Sequence, residues 1–150
     1  MSKTSLDVFD TTLQETNHWL KLMMEELDSS DRRRAFTALR AGLHALRDRI
    51  GPANAVQLGA QLPMLLRGAY YEGWGLSSST RERHVEDYLN HVDALLPRNS
   101  VFDASEVALA TFRVLAQCLD PGETRKLLRI LPPEICALWP EKVRLRAQVR

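Results

Sequence analysis

Two pairs of prolines are the most restrictive pattern in this chain. Pro52 recurs as Pro121 and Pro63 recurs as Pro132, and in both pairs the second proline lies 69 residues after the first. Proline has no amide hydrogen and suits only the first turn of a helix, so each proline marks where a helix begins or ends. The shared spacing therefore predicts a tandem duplication of one helical unit.

Apolar residues also correspond at this 69-residue shift, as a duplicated core would require. The matching pairs are Trp19/Tyr88, Leu20/Leu89, Leu27/Leu96, Leu46/Leu115, Ile50/Leu119, Leu58/Leu127 and Leu62/Leu131. Two repeats are too few for an open solenoid. We therefore predict that repeats at about 10–74 and 79–143, joined by a linker at about 73–79, pack into one compact domain.

Through most of the chain, apolar residues recur every three or four positions, which is the spacing of an amphipathic α-helix. The clearest case begins at the predicted N-cap Asp31. Asp103 and Asp120 mark two later helix starts, and Ser79-x-x-Glu82 matches a capping box that would open the fifth helix. We predict an all-α fold of eight or nine short helices. The expected core residues are Trp19, Phe36, Leu39, Leu43, Leu46, Ile50, Tyr88, Phe112, Leu115 and Leu119.

Composition argues against several classes of partner. The formal net charge is +1, so no overall field attracts nucleic acid or an anionic membrane. The first residues lack the apolar segment of a signal peptide, and no apolar run is long enough to span a membrane. Cys118 and Cys136 form no CxxC pair, which argues against a disulfide framework or a zinc site. We expect a cytoplasmic protein without a cofactor or a metal.

One segment carries a long and specific motif. Residues 61–74 read Gln-Leu-Pro-Met-Leu-Leu-Arg-Gly-Ala-Tyr-Tyr-Glu-Gly-Trp, between Gly51-Pro52 and a later Arg-Glu-Arg-His at 81–84. This motif resembles the DUF2267 family of bacterial proteins, and residues 131–139 resemble the closing segment of that family. The resemblance covers nearly the whole chain. It implies a helical bacterial protein and supplies no catalytic residues to transfer.

An aromatic cluster ends the first repeat and supplies the candidate binding residues, Tyr70, Tyr71, Glu72 and Trp74. Aromatic rings at a helix end can anchor a partner, or they can cap the core. Tyr70 aligns with Trp139, which favours a structural role, whereas Trp74 has no aromatic counterpart. Glu72 could act as an acid or base if it is buried, although a surface position or an ion pair with Arg67 is the simpler interpretation.

The four histidines invite a metal interpretation. His84, Asp87 and His91 have a spacing that would align them on one helix face. No histidine aligns with another histidine at the repeat shift, so we favour solvated helix faces for His18 and His44 as well as for this group.

Two basic segments have no assigned role. Arg32, Arg33 and Arg34 stand at a helix start, where the helix dipole disfavours cations. They could contact phosphate or form a solvated corner, and the basic tail at 142–150 could be a frayed end. We do not expect nucleic-acid binding, because the net charge is near zero and no recognised motif is present.

No motif of a known catalytic class occurs: there is no HExxH, no glycine-rich phosphate loop and no GxSxG elbow. We expect a non-enzymatic interaction or regulatory protein that binds a partner protein, and homo-oligomerisation stays open. The alternative is an enzyme or small-ligand binder with a pocket between the repeats near Tyr71, Glu72 and Trp74. A deep pocket around a buried Glu72 would favour this alternative, and a flat exposed patch that includes Trp74 would favour a protein partner.

Overall fold

The computed structural model describes residues 6–148, except for the side chain of Leu76, so the last two residues of the basic tail lie outside the described range. Within that range the chain forms nine α-helices, a 3-10 turn and no strand, which confirms the predicted all-α fold. In chain order these elements are α1 (Asp7–Glu26), α2 (Arg32–Ile50), α3 (Pro52–Gly59), α4 (Met64–Tyr71), the 3-10 turn (Leu76–Ser78), α5 (Val85–Leu95), α6 (Ala104–Cys118), α7 (Pro121–Ile130), α8 (Pro133–Cys136) and α9 (Glu141–Gln148).

Local capping signals determine several helix starts as predicted. The Asp31 carboxylate accepts a hydrogen bond from the backbone amide of Arg34 at 3.1 Å and so caps α2. Asp103 and Glu106 form a reciprocal capping box at the start of α6, with the Glu106 amide 2.8 Å from Asp103 Oδ1. Asp120 caps α7 by accepting a hydrogen bond from the Gly122 amide at 3.0 Å. Each of these caps satisfies a backbone amide that has no partner inside the helix.

The predicted start of the fifth helix is wrong. Residues 79–83 are not helical, and α5 begins at Val85. The cap comes from α8, because Glu134 Oε1 accepts the Val85 amide at 2.9 Å. Glu82, the residue expected to complete a capping box with Ser79, instead accepts a hydrogen bond from the Thr80 hydroxyl at 2.7 Å. The start of α5 is therefore capped by a residue that is distant in sequence, and not by the predicted local capping box.

Several helix bounds conform to the predicted 69-residue shift. Helices α3 and α7 begin at Pro52 and Pro121, and α4 and α8 follow Pro63 and Pro132. Helices α1 and α5 correspond only at their carboxyl ends, because the chain before Val85 is a linker rather than helix. The duplication itself stays a prediction with which these bounds agree.

Helix α2 lies at the centre of the molecule and packs against α1, α3, α4, α5 and α6. At its crossing with α6, a Cβ added to Gly42 would overlap the Thr111 side chain, so glycine permits this close approach. All of the predicted core residues are buried except Phe36, which is partly buried. No helix in residues 6–148 has both the length and the apolar character needed to cross a membrane.

Candidate functional site

Tyr70 belongs to the core. Its ring is fully buried, and its hydroxyl donates a hydrogen bond to the Ala55 carbonyl at 2.7 Å. Burial raises the pKa of Tyr70 far above its usual value, so the side chain stays a neutral phenol. Of the four predicted binding residues, this one is inaccessible to a partner in the folded chain.

Tyr71 and Trp74 are partly buried and pack on each other, with ring centroids 5.5 Å apart. The Tyr71 ring lies over α3, where a Cβ added to Gly59 would overlap its hydroxyl group. Both residues also pack against the main hydrophobic core. They close the end of the first half of the molecule and do not form a flat exposed patch.

Glu72 is exposed, and its predicted ion-pair partner is wrong. The Glu72 side chain is 59% accessible, and Oε1 accepts a hydrogen bond from Arg40 Nε at 3.2 Å. Arg67 is unavailable to Glu72 because it donates to the carbonyls of Gly59 and Leu62 at 2.8 and 2.9 Å. An exposed, ion-paired carboxylate lacks the desolvated setting that an acid–base role requires.

A buried polar network, which the sequence did not lead us to expect, lies beside this cluster at the end of α2. The side chains of Arg47 and Asp48 are only 4% and 7% accessible, and Arg47 Nε donates to Asp48 Oδ1 at 3.0 Å. Arg47 Nη1 also donates to the carbonyls of Tyr70 and Glu72 at 2.8 and 3.0 Å. One buried guanidinium therefore fixes the carboxyl end of α4 to α2.

His91 of α5 lies between two carboxylates of this network. Its Nε2 atom is 3.2 Å from Asp48 Oδ2, and its Nδ1 atom is 3.5 Å from Glu82 Oε1. The hydrogen bond to Asp48 raises the pKa of His91 despite the opposing effect of burial. Nδ1 is buried without a hydrogen-bond partner, so the contact with Glu82 is electrostatic. A protonated ring suits this position because carboxylates only accept hydrogen bonds.

The linker between α4 and α5 is tied to α2 through the same residues. The Thr80 amide donates to the Asp48 carbonyl at 2.9 Å, and Arg49 Nε donates to the Glu82 carbonyl at 2.6 Å. The Asp48 carbonyl has no partner in its own helix, because the residue four positions later is Pro52, which has no amide hydrogen. Pro52 therefore leaves the Asp48 carbonyl free to accept a hydrogen bond from the linker.

The histidines do not all lie on solvated faces, so that prediction is wrong for His44 and His91. The buried His44 ring is 2.7 Å from the Ala69 carbonyl, and burial lowers the pKa of His44. His84 is exposed and contacts Glu134 at 2.9 Å. His44, Arg47 and Asp48 follow one another at helical spacing, which is the signal that could have revealed a buried polar stripe. Residues 6–148 contain no group of three or more His, Cys, Asp or Glu side chains arranged for a metal ion.

An exposed apolar surface lies at the opposite end of α4, which sequence analysis did not single out. Leu65 at the start of α4 donates its amide to Thr12 Oγ1 of α1 at 3.1 Å. Val8 and Phe9 lie one turn before Thr12 on the same side of α1. Together with Met64 and Leu65 they define the α1–α4 face, and all four side chains are 46–50% exposed.

The charged residues that α1 contributes near the α1–α4 face have one sign. Residues 7–17 of α1 include Asp7, Asp10 and Glu15 and no lysine or arginine. Carboxylates at the amino end of a helix are favoured by the helix dipole, so this distribution is also compatible with the stability of α1. The face therefore combines large apolar side chains with an acidic border.

The family comparison is consistent with the resemblance seen in residues 61–74. The model of an uncharacterised conserved protein family, DUF2267, matches residues 16–138, which extend from the middle of α1 to the turn after α8. The match includes the buried network around Asp48 and the start of α4, while Val8 and Phe9 lie before it. No curated protein matches the chain. The chain belongs to the DUF2267 family.

Proposed function

We propose that this protein is a non-enzymatic interaction or regulatory protein of the bacterial cytoplasm, and that it binds a partner protein through the α1–α4 face. The observation that carries the proposal is the group of four large apolar side chains left half exposed where α1 meets α4. Adjacent exposed apolar groups of this kind are a feature of protein-binding surfaces.

The size of this surface determines how much binding free energy apolar burial can contribute. Covering a fully exposed side chain of this type contributes about 1.5–3 kcal/mol, so four half-exposed side chains contribute roughly 3–6 kcal/mol. Association costs roughly 4–15 kcal/mol in lost freedom of motion. Apolar burial alone is therefore insufficient, and additional polar contacts are needed for a stable complex.

The acidic residues of α1 indicate what the additional polar contacts with the partner would be. Asp7 and Glu15 would attract a partner whose apolar residues are flanked by lysine or arginine. A basic amphipathic helix has both features and can place its apolar side along the junction of two helices. We therefore propose such a helix, presented by another protein, as the occupant of the α1–α4 face.

No observation favours the alternative of an enzyme or ligand pocket near Tyr71, Glu72 and Trp74. The two rings pack on each other and on the core. Glu72 is paired with Arg40 at the surface.

The proposal is tested by site-specific photo-crosslinking in cells. A photoreactive residue is placed at Met64 and, as a matched control, at the exposed position Glu86 of α5. We expect a protein adduct at Met64 that is absent at Glu86. The identified partner is then purified, and its binding is measured against wild type, Phe9→Ser and Leu65→Ser.

Each serine variant should bind the purified partner at least tenfold more weakly, a loss of about 1.4 kcal/mol. Both substituted side chains are half exposed, so circular dichroism should show an unchanged fold. Identical adducts at the two positions, equal binding by the variants, or crosslinking only to a second copy of the chain would each refute the proposal.

A further inference from the structure

A cleft lies between the first turns of α2 and the connection from α5 to α6, away from the α1–α4 face. Its volume is about 220 Å³. Helix α2 contributes Arg33, Arg34 and Thr37, and the connection contributes Asn99 and Phe102. The structure thus places part of the arginine run of α2 against a cavity, and not simply at a solvated corner.

The polar residues of the cleft are suited to an anion. Arg33 and Arg34 are among the residues that line it, and no Asp or Glu is. Arg34 has a weak, exposed ion pair with Asp31 at 3.5 Å, which a ligand could displace at little cost. Within residues 6–148, the side chains of Arg33, Thr37 and Asn99 make no hydrogen bond or ion pair. Three groups with hydrogen-bond donors are therefore free beside one cavity.

The rest of the cleft is apolar. Phe102 and the buried Ala38 are among the residues that line it. An engineered apolar cavity of roughly 150 Å³ holds benzene, so a volume of about 220 Å³ has room for a ring-sized group beside an anionic head. A ligand that fits this cleft should therefore have both an anionic group and an apolar group.

We propose that this cleft binds a small organic phosphate, a phosphomonoester that carries a flat apolar group of about the size of a benzene ring. A phosphomonoester has a charge of about −1.5 to −2 at neutral pH and three strong acceptor oxygens. Two guanidinium groups match that charge, and the Thr37 hydroxyl and the Asn99 amide add neutral donors. The cavity beside Phe102 accepts the apolar group.

The test is an NMR titration of the full chain with phenyl phosphate, with inorganic phosphate and phenol as separate probes. We expect saturable shifts of the amide signals of Arg33, Thr37 and Asn99 with phenyl phosphate. Its affinity should exceed that of either probe at least tenfold, because only phenyl phosphate combines the anion with the ring. Equal affinity for inorganic phosphate or for phenol would overturn the proposal.

Two neighbouring substitutions separate the cleft from general charge attraction. Arg33→Gln should weaken phenyl phosphate binding at least tenfold. Arg32→Gln removes the same charge from the adjacent residue, which lies outside the cleft lining and bonds to Asn17 at 3.3 Å, so its affinity should change less than twofold. Both arginines are exposed, and the variants should fold. Equal losses in the two variants, or binding that does not saturate, would refute the site.

Discussion

Replacing His91 with glutamine should weaken the fold at pH 6 and have much less effect at pH 9. The pKa of His91 is raised above its usual value of 6.5, chiefly by the hydrogen bond to Asp48. The folded state therefore holds this proton more tightly than the unfolded state does. The resulting stabilisation is complete below about pH 6.5 and is lost as the pH rises through the pKa of the folded state.

The magnitude follows from the contacts of the ring. A hydrogen bond that involves a charged group contributes about 1.5–3 kcal/mol to the free energy of unfolding. Glutamine has no charge, so His91→Gln should lose about that amount at pH 6. As the pH rises through the raised pKa of His91, the wild-type ring becomes neutral and can donate from only one nitrogen, so the difference should fall below roughly 1 kcal/mol.

His44 and His84 also make stability depend on pH, and their effects must be separated from that of His91. Burial lowers the pKa of His44, so its contribution to stability has the opposite sign and grows as the pH rises toward 6.5. Contact with Glu134 raises the pKa of His84, which is fully exposed. Both residues are present in wild type and in His91→Gln, so their effects cancel in the difference between the two proteins.

The measurement is urea unfolding followed by far-ultraviolet circular dichroism at pH 6, 7, 8 and 9. His84→Gln serves as the control, since it removes an exposed histidine of the same helix region. The reasoning is refuted if the difference in unfolding free energy between wild type and His91→Gln is constant with pH or increases toward pH 9.

Two further predictions compare matched substitutions by chemical denaturation. Tyr70→Phe should cost about 0.5–1.5 kcal/mol because it removes a short, buried hydrogen bond to the Ala55 carbonyl, whereas Tyr71→Phe should cost under about 0.5 kcal/mol because its hydrogen bond is long and exposed. Equal costs would contradict the assignment of Tyr70 to the core. Gly42→Ala should destabilise by about 1–3 kcal/mol by overlapping Thr111, whereas Gly68→Ala, with open space around it, should stabilise by about 0.5–1 kcal/mol. A neutral Gly42→Ala would show that α2 and α6 can separate without cost.

The fold was predictable where the signals are local. Asp31 and Asp103 each cap a helix whose first amides lie within a few residues, so the pattern and its partner occur in one stretch of sequence. The prolines act in the same way, since a missing amide hydrogen has its effect within one turn. Most of the helix starts follow from such signals. The spacing of apolar residues also predicted core positions correctly, since all of the predicted core residues except Phe36 are buried.

The candidate sites were harder to predict because their partners are distant in sequence. Asp48 and His91 are separated by 43 positions, and only the packing of α5 on α2 brings them together. Ser79-x-x-Glu82 has the form of a capping box, but in the folded chain Glu82 lies against His91 of α5. Glu72 paired with Arg40, 32 positions away, for the same reason. Local sequence patterns do not reveal interaction partners that only the fold brings close.

The cap of α5 has a consequence for synthesis on the ribosome. The amide of Val85 is satisfied by Glu134, a residue 49 positions later, and the N-cap residue His84 provides no substitute. As the chain emerges, α5 leaves the exit tunnel well before α8 exists. Until Glu134 has been made, the Val85 amide can only be satisfied by water or by another part of the chain. The observed cap of α5 can therefore form only after translation has passed Glu134.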